Sequence, residues 1–231
     1  MLNGSILLEG SYLYYDKDQN YSQENFKLVE LEDSSQFHVY SEIISRLDTG
    51  EMLKILVRLE MNQSYLPIFL RVERSVGQHY AQEVFKLDPL SKELKYSFQS
   101  AQTTQEFKKI ISAKHYLSSP AFSTSCLFTL SKSFNATGRT PITIISSSNY
   151  WEYLNAPEEK IIFAEYKSKE ATFQINQTNL LASHLCLYER DSSESNPDTP
   201  AEIFISKHYG IPYELVHGDQ KIVIKNLKKN F

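Results

Sequence analysis

Glycine is scarce in this chain, at seven residues in 231, too few for the glycine-rich loops that cradle nucleotide phosphates. Two cysteines, Cys126 and Cys186, cannot build a disulfide scaffold. Each sits among apolar neighbours, in Ser125-Cys-Leu-Phe128 and Leu185-Cys-Leu-Tyr188, which favours small buried hydrophobes over a bridge. No apolar run reaches the roughly 18 residues that a membrane-spanning helix needs. Positive charge is not in excess either: the net charge is −4 and the pI is near 5.9, which argues against a nucleic-acid partner. Lys221, Lys225, Lys228 and Lys229 form a basic tail that reads as a solvated terminus. Met1–Glu9 has no basic flank and too short an apolar segment for a secretory signal. The expectation is a cytoplasmic protein, or a periplasmic one if a leader was removed before residue 1.

Aromatic residues are plentiful by contrast, with 15 tyrosines and 13 phenylalanines, and most fall in short alternating runs. In Met52–Glu60, Leu53, Ile55, Val57 and Leu59 point one way and Lys54 and Arg58 the other. A period of two means a strand with one face in a core and the other wet. Further runs cover 6–15, 24–31, 37–46, 66–74, 79–87 and 93–99, within a strand-and-turn pattern that spans 5–111. Ile68, Leu70 and Val72 share one face opposite Arg71 and Glu73. The connections between runs are short and rich in turn formers, as a meander requires.

One segment breaks the period. Residues 119–132 read as a helix, with Ser119 as N-cap, Pro120 at the first helical position, and Phe122, Cys126 and Thr129 or Leu130 along one stripe. Its serines and threonines are weak helix formers, so packing must hold it. Strands resume at 142–148, 161–168, 171–177, 183–190, 201–208, 213–217 and 221–227, interrupted by the polar loop 192–200. The prediction is one mainly β domain over 1–231: a large antiparallel meander curved into an open or half barrel, with a central helix on its concave face.

No nucleophile elbow, His-Glu-x-x-His or Cys-x-x-Cys is present, and neither cofactor nor metal is expected. His208 and His217 flank a turn; if that turn is a four-residue hairpin loop, His208 pairs with Tyr213 and lies about 13 Å from His217, too far to share an ion. His38, His79, His115 and His184 are isolated, which fits structural or solvent-facing roles. A Cys–His nucleophile on Cys126 is weighed against an inert core thiol, which its place on the apolar stripe favours. Ser146-Ser-Ser148 reads as a turn. The pair Tyr150-Trp151 either gates an apolar cavity or plugs one end of the core.

The order of features resembles a family. Ser11-Tyr-Leu-Tyr-Tyr15 opens the meander, a Ser-Pro helix interrupts it, and Glu202–Leu215 followed by Lys221–Leu227 closes it through an "Ile-Pro" strand. This is similar to uncharacterised bacterial proteins related to the outer-membrane lipoprotein carrier superfamily. That resemblance implies an unclosed barrel around a helix, an envelope compartment and bound acyl chains; the missing signal peptide departs from it.

Three functions follow as expectations. The first is a non-enzymatic protein sheltering a hydrophobic or lipid-like ligand, with Leu53, Ile55, Val57, Ile68, Leu70, Phe122 and Trp151 as lining candidates. The second is an interaction module with a packed core, in which the first or last strand takes up a partner's strand. The third is a small barrel-mouth enzyme, an isomerase or hydrolase, using Glu42, Glu83, Arg58 or Arg71.

Overall fold

The computed structural model describes residues 4–31, 36–88, 90–111, 114–131, 134, 138–189 and 199–230. The first alternating region forms β1 (Gly4–Asp16), β2 (Gln19–Leu31), β3 (Phe37–Arg46), β4 (Met52–Met61), β5 (Pro67–Val76), β6 (His79–Asp88), β7 (Glu93–Ser100) and β8 (Thr104–Ile110). The second forms β9 (Tyr116–Leu117), β10 (Thr140–Ser146), β11 (Glu158–Ile175), β12 (Thr178–Glu189), β13 (Ala201–Ser206), β14 (Pro212–His217) and β15 (Gln220–Lys229). All join one sheet, which runs in order from β8 to β1 and then from β15 back to β9. Pairing is antiparallel except between β9 and β10. The sheet curves strongly and does not close, so the predicted open barrel is present.

The first and last strands are not edges. They pair with each other mid-sheet, Tyr12 opposite Ile224 and Tyr14 opposite Ile222, so neither is free to take up a partner's strand. The edges are β8 and the two-residue β9. Residues 161–168 and 171–177 are one strand rather than two. Register shifts between Tyr166 and Ser168 and between Ser168 and Ala171 are bulges that bend it while pairing continues. Its tip packs over the neighbouring strands, with the Phe173 ring 5.6 Å from Phe204 and 5.5 Å from Tyr213. The expected pairing of His208 with Tyr213 is absent: a bulge pairs Ile205 with Pro212 and leaves His208 in the turn. Most of the polar loop 192–200 lies outside the described residues.

Alternation assigns the faces as the sequence predicts. Leu53, Ile55, Val57 and Leu59 of β4 are buried, as are Leu70 and Val72 of β5, with Tyr12, Phe26, Phe85, Tyr96 and Phe98 completing the densest part of the core. Tyr12 stacks on Phe26 at 5.1 Å and meets Phe122 edge-on at 5.0 Å. Its hydroxyl donates to the Pro212 carbonyl at 2.8 Å, so this fully buried phenol is satisfied. Ile68 departs from the pattern. Glu60 pairs with Phe69 and Met61 with Pro67, so Ile68 sits unpaired in a bulge and is only half-buried.

The helical segment lies across the concave face but is shorter than predicted. It is a 3₁₀ turn, Phe122–Thr124, then a single α turn, α1 (Phe128–Ser131). Its own hydroxyls explain the break. Thr124, Ser125 and Thr129 each donate to the carbonyl three residues earlier, at 2.8, 2.8 and 2.7 Å, offering the backbone an alternative to regular helical bonding. At its far end Leu130 and Thr129 press on Gly210. A Cβ there would stand 2.9 Å from Leu130 Cγ, and the backbone has φ +62°, so both space and conformation call for glycine.

Candidate functional site

Two buried polar networks set the interior, and both begin with a charged residue in phase with apolar ones. Glu24 points inward on β2 with Phe26 and Leu28 and is fully buried. One carboxylate oxygen accepts from Ser41 Oγ at 2.7 Å and from the Ser123 N–H at 3.2 Å. The other accepts from the Phe122 N–H at 2.8 Å and from the Tyr14 hydroxyl. Those two N–H groups open the helical segment and have no partner within it, so Glu24 is the anchor that lays the segment across the barrel. Burial and the neighbouring carboxylate push the Tyr14 phenol well above its ordinary range.

The second network begins at Arg74 and Glu83, inward on β5 and β6, which pair at 2.6 Å. Glu83 accepts from the Tyr96 hydroxyl at 2.8 Å, and Asn149 Nδ2 donates to that same oxygen at 2.7 Å. Asn149 Oδ1 in turn receives the N–H groups of Leu154 and Asn155 at 2.6 and 3.2 Å. The chain of bonds thus runs from β5 through β7 to the loop after β10, at the opposite end of the strand order. Tyr150 covers Arg74, whose guanidinium lies 4.8 Å from its ring centre. A second tie joins the two margins, where Lys109 of β8 and His115 both reach Glu159 of β11, at 2.6 and 2.9 Å. Hydrogen bonding from Lys109, then from His115, holds the Glu159 carboxyl below its usual range. Side chains therefore join margins that the backbone ladder leaves apart.

Between these ties the barrel stays open. A cleft of about 650 Å³ lies between the β4–β5 turn and the β10–β14 flank, with β9 and the helical segment between them. Its apolar wall includes Leu59, Met61, Leu127, Phe128, Ile144 and Leu187, and hydroxyls of Ser118, Ser119, Thr124 and Ser125 gather along one side. The gap exists because β9 is two residues long and the helical segment is broken, so neither fills the space beside β4. Tyr65 borders the cleft in a left-handed conformation, φ +57°, uncommon and costly for an aromatic residue. Asn62 Oδ1 holds that turn by accepting from Ser64 and Leu66 N–H at 2.9 and 3.1 Å, and Phe37 stacks on the Tyr65 ring at 4.6 Å.

The expected lining residues lie elsewhere. Leu53, Ile55, Val57, Leu70 and Phe122 belong to the packed core, and Ile68 sits in its bulge. Trp151 packs edge-on to Tyr150 at 5.3 Å and borders a smaller cleft of about 390 Å³ with Leu47, Val76 and Tyr80. None of the seven lines the 650 Å³ cleft, and Val57 borders a wider, more open groove of about 830 Å³ on the outer face. Glu42, Arg58 and Arg71 lie along that same groove. Each is matched there, with Lys54 at 2.5 Å from Glu42, Glu60 at 2.7 Å from Arg58, and Glu73 against Arg71. Glu83 is inside, so the four do not converge. Cys126 and Cys186 are free and buried, and burial pushes the Cys126 thiol up to about 12, the reverse of an activated nucleophile. Among the described residues, no group of three His, Cys, Asp or Glu side chains is placed to hold a metal ion, and no helix is long and apolar enough to cross a membrane.

This geometry has counterparts. A β-barrel-like protein of domain of unknown function DUF1849 from Brucella abortus superposes with a TM-score of 0.59, covering 98% of this chain and 98% of that one at 6% identity. A DUF1089 family protein from Pseudomonas aeruginosa gives 0.56, with 86% of this chain and 90% of the other covered at 10% identity. The likeness is one of fold. No protein-family model matches the chain, and no curated protein matches it.

Proposed function

We propose that this protein binds an elongated apolar molecule in the cleft between the two arms of its open barrel. The observation that carries the reading is the cleft itself. Its volume of about 650 Å³ lies within the roughly 300–1,000 Å³ range of small-molecule sites. Its lining has their usual character, an apolar wall with a few polar groups to one side. An acyl chain is the occupant implied by the resemblance to the lipoprotein carrier superfamily, and it suits a slot walled by Leu59, Met61, Ile144 and Leu187. The packed core provides a rigid frame, and the strained Tyr65 turn at the rim fits a site whose shape is held against local cost.

The test is titration with Nile red, an uncharged apolar dye, followed by fluorescence. Saturable binding at one site is expected. The double variant Leu187→Trp with Ile144→Trp places two indoles in the slot and should weaken binding by at least about tenfold, or about 1.4 kcal/mol, while far-UV circular dichroism stays unchanged. Equal binding by the folded double variant would refute the reading.

A further inference from the structure

We infer that the head group of the bound molecule is uncharged and hydroxyl-bearing rather than anionic; this rests on the cleft being the binding site. Ser118, Ser119, Thr124 and Ser125 contribute the polar side of the lining, and Glu189 and His217 stand at the mouth. Among the described residues, Glu189 is the one carboxylate in that lining, and no lysine or arginine belongs to it. Among the described residues Glu189 has no ion-pair partner. Arg139 contacts Tyr188, a residue of the lining. It lies against the Tyr188 ring, 3.5 Å from its centre, and does not itself line the cleft.

A carboxylate head group drawn in beside the serine and threonine side chains would shed water without gaining a cationic partner among the described residues, and would face Glu189. An unpaired charge moved out of water is costly, and like charges in reach of one another add to that cost. A hydroxylated head group meets the opposite situation. Its O–H groups donate to Glu189 and to the hydroxyl oxygens of Thr124 and Ser125, whose own protons go to the Ala121 and Phe122 carbonyls. Parts of this array already bond internally: Ser119 Oγ and Thr124 Oγ1 are 2.7 Å apart, and Ser125 Oγ donates to the Phe122 carbonyl at 2.8 Å. The hydroxyls are therefore held in place before a ligand arrives. An alkylammonium drawn to the same depth would shed its water likewise, and Glu189, exposed at the mouth, would offset little of that cost.

The experiment compares three ligands of one chain length by displacement of Nile red: 1-dodecanoylglycerol, dodecanoate and dodecylammonium, each below its critical micelle concentration. All three titrations are run at pH 8. The glycerol ester should bind at least about tenfold more tightly than dodecanoate. Glu189→Gln should narrow that gap by improving dodecanoate alone, and Glu189→Lys should bring dodecanoate level with the ester or ahead of it. Arg139→Gln should leave the order unchanged. Dodecanoate or dodecylammonium matching or exceeding the ester in the unaltered protein would overturn the head-group inference while leaving the cleft reading in place. If none of the three displaces the dye, the cleft reading fails, and the inference with it. A Glu189→Gln variant that leaves all three affinities untouched would also overturn the inference, because the carboxylate would then not face the head group.

Discussion

Replacing Glu24 with glutamine keeps the side chain's volume but turns one acceptor oxygen into a donor. The consequence can be worked from the four bonds it receives. Each carboxylate oxygen holds one hydroxyl and one backbone N–H: Ser41 with Ser123, and Tyr14 with Phe122. The hydroxyls can rotate to become acceptors; the N–H groups cannot. With NH₂ in the Oε1 place the Ser123 N–H is left facing a donor in the core, and with NH₂ in the Oε2 place the Phe122 N–H keeps only the Tyr14 hydroxyl, at 3.1 Å. An unsatisfied buried donor costs about 1–3 kcal/mol, and the surviving bonds fall from charge-assisted to neutral strength. Glu24→Gln should therefore lose about 3 kcal/mol, or about 6–12 °C in Tm for a chain of this size. Ser41→Ala, which leaves its oxygen still bonded to Ser123, should lose about 1 kcal/mol. Urea unfolding followed by Trp151 fluorescence and by far-UV circular dichroism measures both. A Glu24→Gln variant within about 0.5 kcal/mol of the parent, the range of ordinary surface changes, would show that packing alone positions the segment.

Further outcomes follow from the other buried groups. Glu83→Leu strands Arg74 in the core without its carboxylate and should cost about 3–5 kcal/mol, whereas Arg74→Met with Glu83→Leu should cost clearly less than the two single changes added together; strict additivity in urea unfolding would break the coupled-pair reading. The Cys126 thiol, pushed up to about 12 by burial from an ordinary 9.0, stays protonated in the fold while the unfolded chain ionises. Its contribution is thus fully present below pH 9 and is lost as pH rises from 9 toward 12, at about 1.4 kcal/mol per pH unit. Cys126→Ala should flatten the alkaline fall in stability by that slope, and an unchanged slope between pH 9 and 10.5 would contradict the assignment.

Much of the architecture was legible because alternation is a local signal. Leu53, Ile55 and Val57 declare their face without reference to anything distant, and the turns between runs announce a meander. The pairing of β1 with β15 was not legible, since no local pattern says which strands meet when a curved sheet brings the chain ends together. The helical segment lies within the predicted 119–132, but Ser119 is not its N-cap: the first turn begins at Phe122 with Ala121 as N-cap and no side-chain cap, and hydroxyl donation to nearby carbonyls breaks it into two short turns. Glu24, Arg74 and Glu83 did carry a signal. Each occupies an inward position in a run of apolar residues, and a charge in that phase marks either a solvated mouth or a buried network. The cleft was the least legible feature. It arises from what β9 and α1 fail to cover, and Leu59, Met61, Ile144 and Leu187 become neighbours only through the crossing of the two arms.

The most direct measurement of the central claim is photolabelling with an alkyl diazirine carried on an uncharged glycerol ester, followed by peptide mapping. Crosslinks are expected on 59–67, 116–128 and 187–189, the segments that border the cleft, and should be suppressed by excess unlabelled ester. Saturable labelling confined to Leu56, Arg58 and Leu227 on the outer groove would contradict it.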